Sequence, residues 1–374
     1  MPNGYEVAAY YFPQWHADPQ NEAARGKGWS EWESLKKAMP RFPGHEQPKT
    51  PLWGCIDEAD PAVSQKQIDA AADHGIDVFL FDWYWDMGPG ASAAGLEGGA
   101  AAGGSGPFLH RALEEGFLRA PNRDRLKFAL MWANHQPVGR ARFDVMTDYI
   151  IGHYLREGNY WTVNGGLFFC VYELHTLIKG LGGLSETRDA LNAFREKVLA
   201  AGLPHLHIDA MEWGLGQVEG HTHAELIEYF GFESATSYVL AHNLKIPAFP
   251  AYDYGEYIKG APALWDSLAE KCGGVPYFPN TTMGWDPSPR VPADEPYIEG
   301  EYPRTPILKD NKPELFELNL RQAKAFVDGR KTTPRVITVY AWNEWTEGGY
   351  LEPDTVHGMG YLEAIKRVFL EGRE

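Results

Sequence analysis

Eight strand-like stretches alternate with eight helix-like stretches along this 374-residue chain, and that alternation restricts the fold more than any other feature. The strand-like runs, apolar and rich in β-branched and aromatic residues, fall near 6–12, 76–83, 127–133, 167–172, 205–211, 234–240, 275–281 and 335–342. Helix-like runs follow near 60–74, 106–119, 141–157, 185–201, 222–230, 256–271, 313–328 and 357–371. Asp60-Pro61 and Asn311-Lys312-Pro313 place a capping side chain ahead of a first-turn proline, which favours helix initiation. A helix after every strand predicts parallel βαβ units, and eight of them predict an α/β (β/α)8 TIM barrel. A doubly wound sheet is the weaker alternative, because no glycine-rich phosphate fingerprint follows the first strand. No linker divides the chain, so residues 1–374 are expected to form a single catalytic domain with extended βα loops. Gly88–Gly106, rich in Gly, Ala and Ser, is expected to be a mobile loop. The proline-rich segment Gly284–Lys312 is expected to help roof the site.

Active sites of such barrels sit at the C-terminal ends of the strands, so polar and aromatic residues should cluster there. They do. The candidate contacts are Tyr11, Gln14, His16 and Trp32 after the first strand and Asp82, Trp83 and Tyr84 after the second. Trp132, Asn134 and His135 follow the third, Glu212 the fifth, and Trp285, Asp286 and Arg290 the seventh. The eighth strand runs into Ala341-Trp342-Asn343-Glu344-Trp345-Thr346-Glu347-Gly348, with Tyr350 and Glu352 just beyond. Polar strand ends alone are ordinary. Tryptophans recurring beside carboxylates and amides are not, and they suit a pocket that stacks on the apolar faces of pyranose rings.

Charge and composition exclude several partners. With Lys plus Arg at 34 and Asp plus Glu at 51, the net charge is 34 − 51 = −17, which disfavours nucleic acid and anionic membrane. A neutral oligosaccharide or polysaccharide meets no such objection, and the 13 Trp and 19 Tyr suit one. No stretch approaches the roughly 18 uninterrupted apolar residues of a membrane span. The N-terminus lacks a basic region followed by an apolar one, so a cytoplasmic location is expected, with secretion open if a leader was trimmed. Cys55, Cys170 and Cys272 are scattered and predict no disulfide framework, and Cys170 lies in an apolar strand as a small core residue. Nothing in the sequence sets the oligomeric state.

Two carboxylates leaving one strand end fit glycosidic cleavage. One gives a proton to the leaving oxygen and the other acts as base or nucleophile. Glu344 and Glu347 are therefore the candidate catalytic pair. The proton donor needs a raised pKa, from burial or from its neighbour. The alternative is that one of the two caps the loop or pairs with an arginine such as Arg290. Asn343 has two equal readings, a sugar contact or a brace for the strand-end turn. Any one of Trp83, Trp132, Trp285 and Trp342 is more often core than platform. His205, His207 and Asp209 share one face of the fifth strand, which would suit a metal. His205, however, begins that strand, away from the site, and neighbouring strands offer no matching ligands. No metal and no cofactor are expected. No Asp-x-Asp stands at a strand end, which argues against a nucleotide-sugar transferase.

Tyr11-Phe-Pro-Gln-Trp-His16, Gly28-Trp29-Ser-Glu-Trp32, Phe81-Asp-Trp-Tyr84, Trp132-Ala-Asn134, Gly284-Trp-Asp286 with Pro289-Arg290, and Trp342-Asn-Glu-Trp-Thr-Glu-Gly348 with Leu351-Glu-Pro-Asp354 occur in that order. Together they resemble the glycoside hydrolase family 99-like, or WbsX-like, proteins from about Tyr10 to Asp354. The resemblance implies a (β/α)8 barrel, a retaining mechanism and an endo-acting α-mannosidase-like activity. It further implies that Glu347 is the general acid/base, while Glu344 takes the proton of the sugar 2-hydroxyl on the way to a 1,2-anhydro sugar. Thr346 stands where the mannosidases usually carry His, and His135 where WbsX-like chains more often carry Glu. WbsX-like chains also occur among polysaccharide-biosynthesis proteins. A glycosyltransferase or transglycosylase is therefore the first alternative, and a catalytically silent carbohydrate-binding barrel the second.

Overall fold

The computed structural model describes residues 4–85, 106–330 and 333–371. All of the glycine-rich loop expected at Gly88–Gly106 except Gly106 lies outside the described residues. Nine parallel strands form the main sheet: β1 (Tyr5–Tyr11), β2 (Val78–Trp85), β3 (Lys127–Trp132), β4 (Gly166–Val171), β5 (Leu206–Met211), β6 (Ser234–Thr236), β7 (Tyr277–Phe278), β8 (Asn280–Thr282) and β9 (Arg335–Tyr340). Their order is β7-β6-β5-β4-β3-β2-β1-β9-β8. Only Pro279 separates β7 from β8, which lie at opposite ends of that order. They are two halves of one interrupted strand, and the sheet curls into a nearly closed barrel. The eight expected strand positions are all present. Proline has no N–H to give to a ladder, which accounts for the break at the seventh. Side chains bond across it: Thr236 Oγ1 donates to Phe278 O at 3.0 Å, and Asn280 Nδ2 to Thr338 Oγ1 at 3.1 Å.

The outer layer consists of α1 (Pro61–Asp73), α2 (Arg140–His153), α3 (Leu184–Ala200), α4 (His223–Phe230), α5 (Ala261–Lys271), α6 (Pro313–Arg330) and α7 (Gly360–Phe369). Asp60 caps α1 as expected, accepting from Ala62 N at 2.8 Å. Asn311 donates instead to Met283 O, which ties the start of α6 to the end of the seventh strand. The helix expected over 106–119 does not form. Pro107–Phe108 pairs with the end of β2, and Ala112–Gly116 makes a π-helical turn that runs into a 3-10 turn at Phe117–Arg119. The chain is pinned there: a Cβ on Gly116 would lie 2.1 Å from Glu58 O. No helix among the described residues is long and apolar enough to cross a membrane.

Strand alternation decides what faces the barrel interior. Register pairs Asp82 with Met131, Met131 with Cys170, Cys170 with Asp209, and Asp209 with Ser234. These residues share the inward face. Their neighbours Trp83 and Trp132 point out under α2, against Tyr154 and Phe143.

Candidate active site

The chain leaves β9 through Ala341 and Trp342 and is clasped at Asn343. Phe12 N donates to Asn343 Oδ1 at 2.8 Å, and Asn343 Nδ2 returns to Phe12 O at 3.0 Å. This joins the eighth strand end to the first and sets where Glu344 begins. A 3-10 turn follows at Trp345–Glu347, and in that geometry residues three apart eclipse one another. The two-residue gap between Glu344 and Glu347 therefore puts both carboxyls on one side. Gly348 ends the turn at φ 70, and a Cβ there would also meet Asp286 Cβ at 2.9 Å, so glycine is required on both counts.

One guanidinium bridges the pair. Arg290 Nη2 lies 2.5 Å from Glu344 Oε1, and Nη1 lies 2.9 Å from Glu347 Oε1. Arg290 Nε is 3.7 Å from a third buried carboxylate, Glu31. Tyr302 donates to Glu347 Oε1 at 2.6 Å, and Tyr340 donates to Oε2 of the same residue. The Tyr238 hydroxyl lies 2.7 Å from Asp82 Oδ2 and 3.4 Å from Glu344 Oε2. Burial pushes the Glu344 carboxyl well above the usual range, and the charge of Glu347 adds to this while Arg290 opposes it. Burial likewise raises Asp82 and Glu31, against the pull of Tyr238 and Arg290 respectively.

Both glutamates open into a cleft of about 1030 Å³. Gln14, Asp82, Tyr84, His135, Trp285 and Arg290, all expected from the sequence, line it. Gln14 Nε2 and Asp82 Oδ1 are buried there without a hydrogen-bond partner among the described residues. Pro292, Glu295, Glu299 and Pro303–Pro306 also line it, so the segment 284–312 does roof the cleft.

The other expected contacts lie outside the cleft wall, each held by a partner within the protein. Tyr11 donates to Gln67, His16 faces Glu58 at 2.9 Å, and Trp32 donates to Ile56 O. Trp83 donates to Tyr154, Trp132 packs on Phe143, and Asn134 exchanges two bonds with the backbone of Glu173. Glu212 accepts from Asn243. Asp286 accepts from Gln47 and faces His45; these bonds outweigh burial and lower its pKa. Trp342 is wholly buried against Phe79, Asn343 is the clasp described above, and Tyr350 stacks on Trp345 at 3.8 Å. Glu352 accepts from Trp345 and Gln67, and burial pushes it up to about 7. His205, His207 and Asp209 do not converge. His207 Nε2 and Asp209 Oδ1 both meet the Ser234 hydroxyl, while His205 Nε2 and His207 Nδ1 lie 3.4 and 3.7 Å from Glu233 Oε2, and among the described residues these side chains do not gather into a metal-holding group.

Several cleft residues escaped selection from the sequence. Tyr172, Trp213, Tyr238 and His242 sit at recognised strand ends, but only the neighbouring Glu212 was singled out there. Tyr302 carried no signal, because a tyrosine in a proline-rich segment twelve residues beyond Arg290 resembles any loop residue.

The barrel is shared with a GH99 endo-alpha-mannosidase from Bacteroides thetaiotaomicron, at a TM-score of 0.61 and 14% identity over 98% of this chain and 97% of that one. It is also shared with a glycoside hydrolase-like protein, at 0.60 and 15% over 98% and 94%. In sequence the chain is 25% identical to WxcX of Xanthomonas campestris pv. campestris, over 96% of this chain and 49% of WxcX. It thus spans about half the length of the curated relatives it matches. The model of the family described as Glycosyltransferase WbsX matches residues 7–90 and 139–365, and the chain belongs to that family.

Proposed function

We propose that this chain acts on glycans as a retaining glycoside hydrolase, with Glu344 and Glu347 as its working pair and an α-linked, mannoside-like sugar as substrate. The observation that carries this reading is the placement of two buried carboxyls on one guanidinium, at the floor of an aromatic-lined cleft. Binding alone needs no such pair. In the proposed reaction Glu347 gives its proton to the leaving glycosidic oxygen. Glu344 takes the proton of the 2-hydroxyl, whose oxygen closes on C1 to give a 1,2-anhydro sugar. Water then opens that ring at C1: Glu347 takes the water proton, and Glu344 returns its own to O2. Burial of Glu344 makes its carboxylate a stronger proton acceptor than a solvated one. The family's name supports a transferase as the second reading.

The test is a digest of a glycan and polysaccharide panel with the wild type and with a Glu344→Gln, Glu347→Gln double variant. Product from the wild type alone supports the hydrolase. Product only when a nucleotide-sugar donor is added supports the transferase, and binding by both proteins without product from either supports a silent carbohydrate-binding barrel.

A further inference from the structure

The ends of β4, β5 and β6 build an aromatic wall beside the Glu344–Glu347 pair. Tyr172 and Trp213 stack with centroids 5.6 Å apart, and the His242 ring lies 5.5 Å from Trp213. Tyr238 and Trp285 flank His242, each at 6.2 Å. All five rings line the cleft. The polar nitrogen His242 Nδ1 is buried without a partner among the described residues, and burial lowers this imidazole to about 4. It is neutral at pH 7 and keeps one N–H and one lone pair. Buried polar atoms are nearly always satisfied, so an orphan among aromatic faces on a cleft wall points to a ligand atom.

The wall is braced from behind. Asn243, next to His242, donates to Glu212, next to Trp213, and so locks the two loops together. Gly214 lets the Trp213 loop press on the strand-four loop: a Cβ there would lie 2.7 Å from Tyr172 O and 2.9 Å from Leu174 N. None of this bracing touches the glutamates. It holds a surface that the catalytic pair does not itself require.

We infer that Tyr172, Trp213 and His242 form a second sugar subsite, which takes the apolar face of a neutral pyranose on its rings and one hydroxyl on the imidazole. This rests on the glycosidase reading and extends it: the substrate has at least two sugars, and this wall holds one that is not being cleaved.

The experiment compares p-nitrophenyl α-mannoside with linear α-linked mannose oligosaccharides of two to four units, using the wild type, Trp213→Ala, Trp213→Phe and His242→Ala. Trp213→Ala is expected to lower kcat/KM for the longest substrate about tenfold more than for the aryl monosaccharide, with Trp213→Phe recovering most of it. Equal losses on every substrate, or none, overturn the subsite. Failure of the wild type to cleave any of them tells against the glycosidase reading instead. The same oligosaccharides are then titrated against Trp fluorescence of Glu347→Gln, with and without Trp213→Ala. Tighter binding of longer chains that depends on Trp213 upholds the subsite, and length-independent binding overturns it.

Discussion

At the scale of single residues, one arginine, Arg290, bridges the two glutamates of the proposed pair. Glu347→Gln is expected to lower kcat on unactivated substrates by about 10²–10⁴-fold with little change in KM, since the proton is needed mainly in the transition state. Unchanged kinetics would remove Glu347 from the mechanism. Glu344 must be ionised to accept a proton, and burial raises its pKa, so the acid limb of kcat/KM should stand above the usual carboxylate range. Activity should then fall as pH drops through that limb. Arg290 opposes the rise, so Arg290→Met should move the limb to still higher pH. A limb that stays in place would show that Glu344 is not the base. The glutamates themselves were legible in the sequence because two acids at one strand end are rare. Their partners were not: Tyr302, Tyr340 and Glu31 reach the pair from three separate segments, and no spacing rule joins those segments.

At the scale of elements, the strands were read correctly where apolar runs were long, and misread where one residue decides. Once Asp82 is taken to face inward, alternation already sends Trp83 outward, and the same register sends out Trp132. Both tryptophans were selected as contacts because a strand end was treated as a cluster rather than as two faces. His16 and Asn343 attracted attention as polar groups near the site, yet their side chains are taken up by Glu58 and by the backbone of Phe12. Composition cannot show which polar group is already bonded. The turn after β9 offers a test of close packing. A Cβ on Gly349 would lie 2.2 Å from Cε1 of Tyr340, the ring whose hydroxyl donates to Glu347. Gly349→Ala should cost about 1–3 kcal/mol in urea unfolding and lower activity as well. A stable, fully active variant would mean that the ring yields freely.

At the scale of the whole molecule, the fold buries acid groups away from the cleft, Asp209 on the inward face of β5 and Glu352 beside Gln67 of α1. Burial pushes Asp209 from 3.8 up to about 7, and Glu352 likewise to about 7. A raised folded-state pKa means that the native form keeps a proton the unfolded chain would lose. The associated stability is complete below pH 4 and is lost as pH rises towards 7, with a slope of at most about 1.4 kcal/mol per pH unit for each group. Unfolding of the wild type at pH 5 and pH 8 should show that loss, and Asp209→Asn should reduce it. An identical pH dependence in the variant would place Asp209 outside this balance. The roof over the cleft has a different consequence. Arg290 and Tyr302 both come from the segment 284–312, which also shapes the cleft entrance. A change in this roof that admits a different sugar and displaces Arg290 or Tyr302 would also alter the charge balance of Glu344 and Glu347, so the proposed specificity and working pH are coupled through one segment.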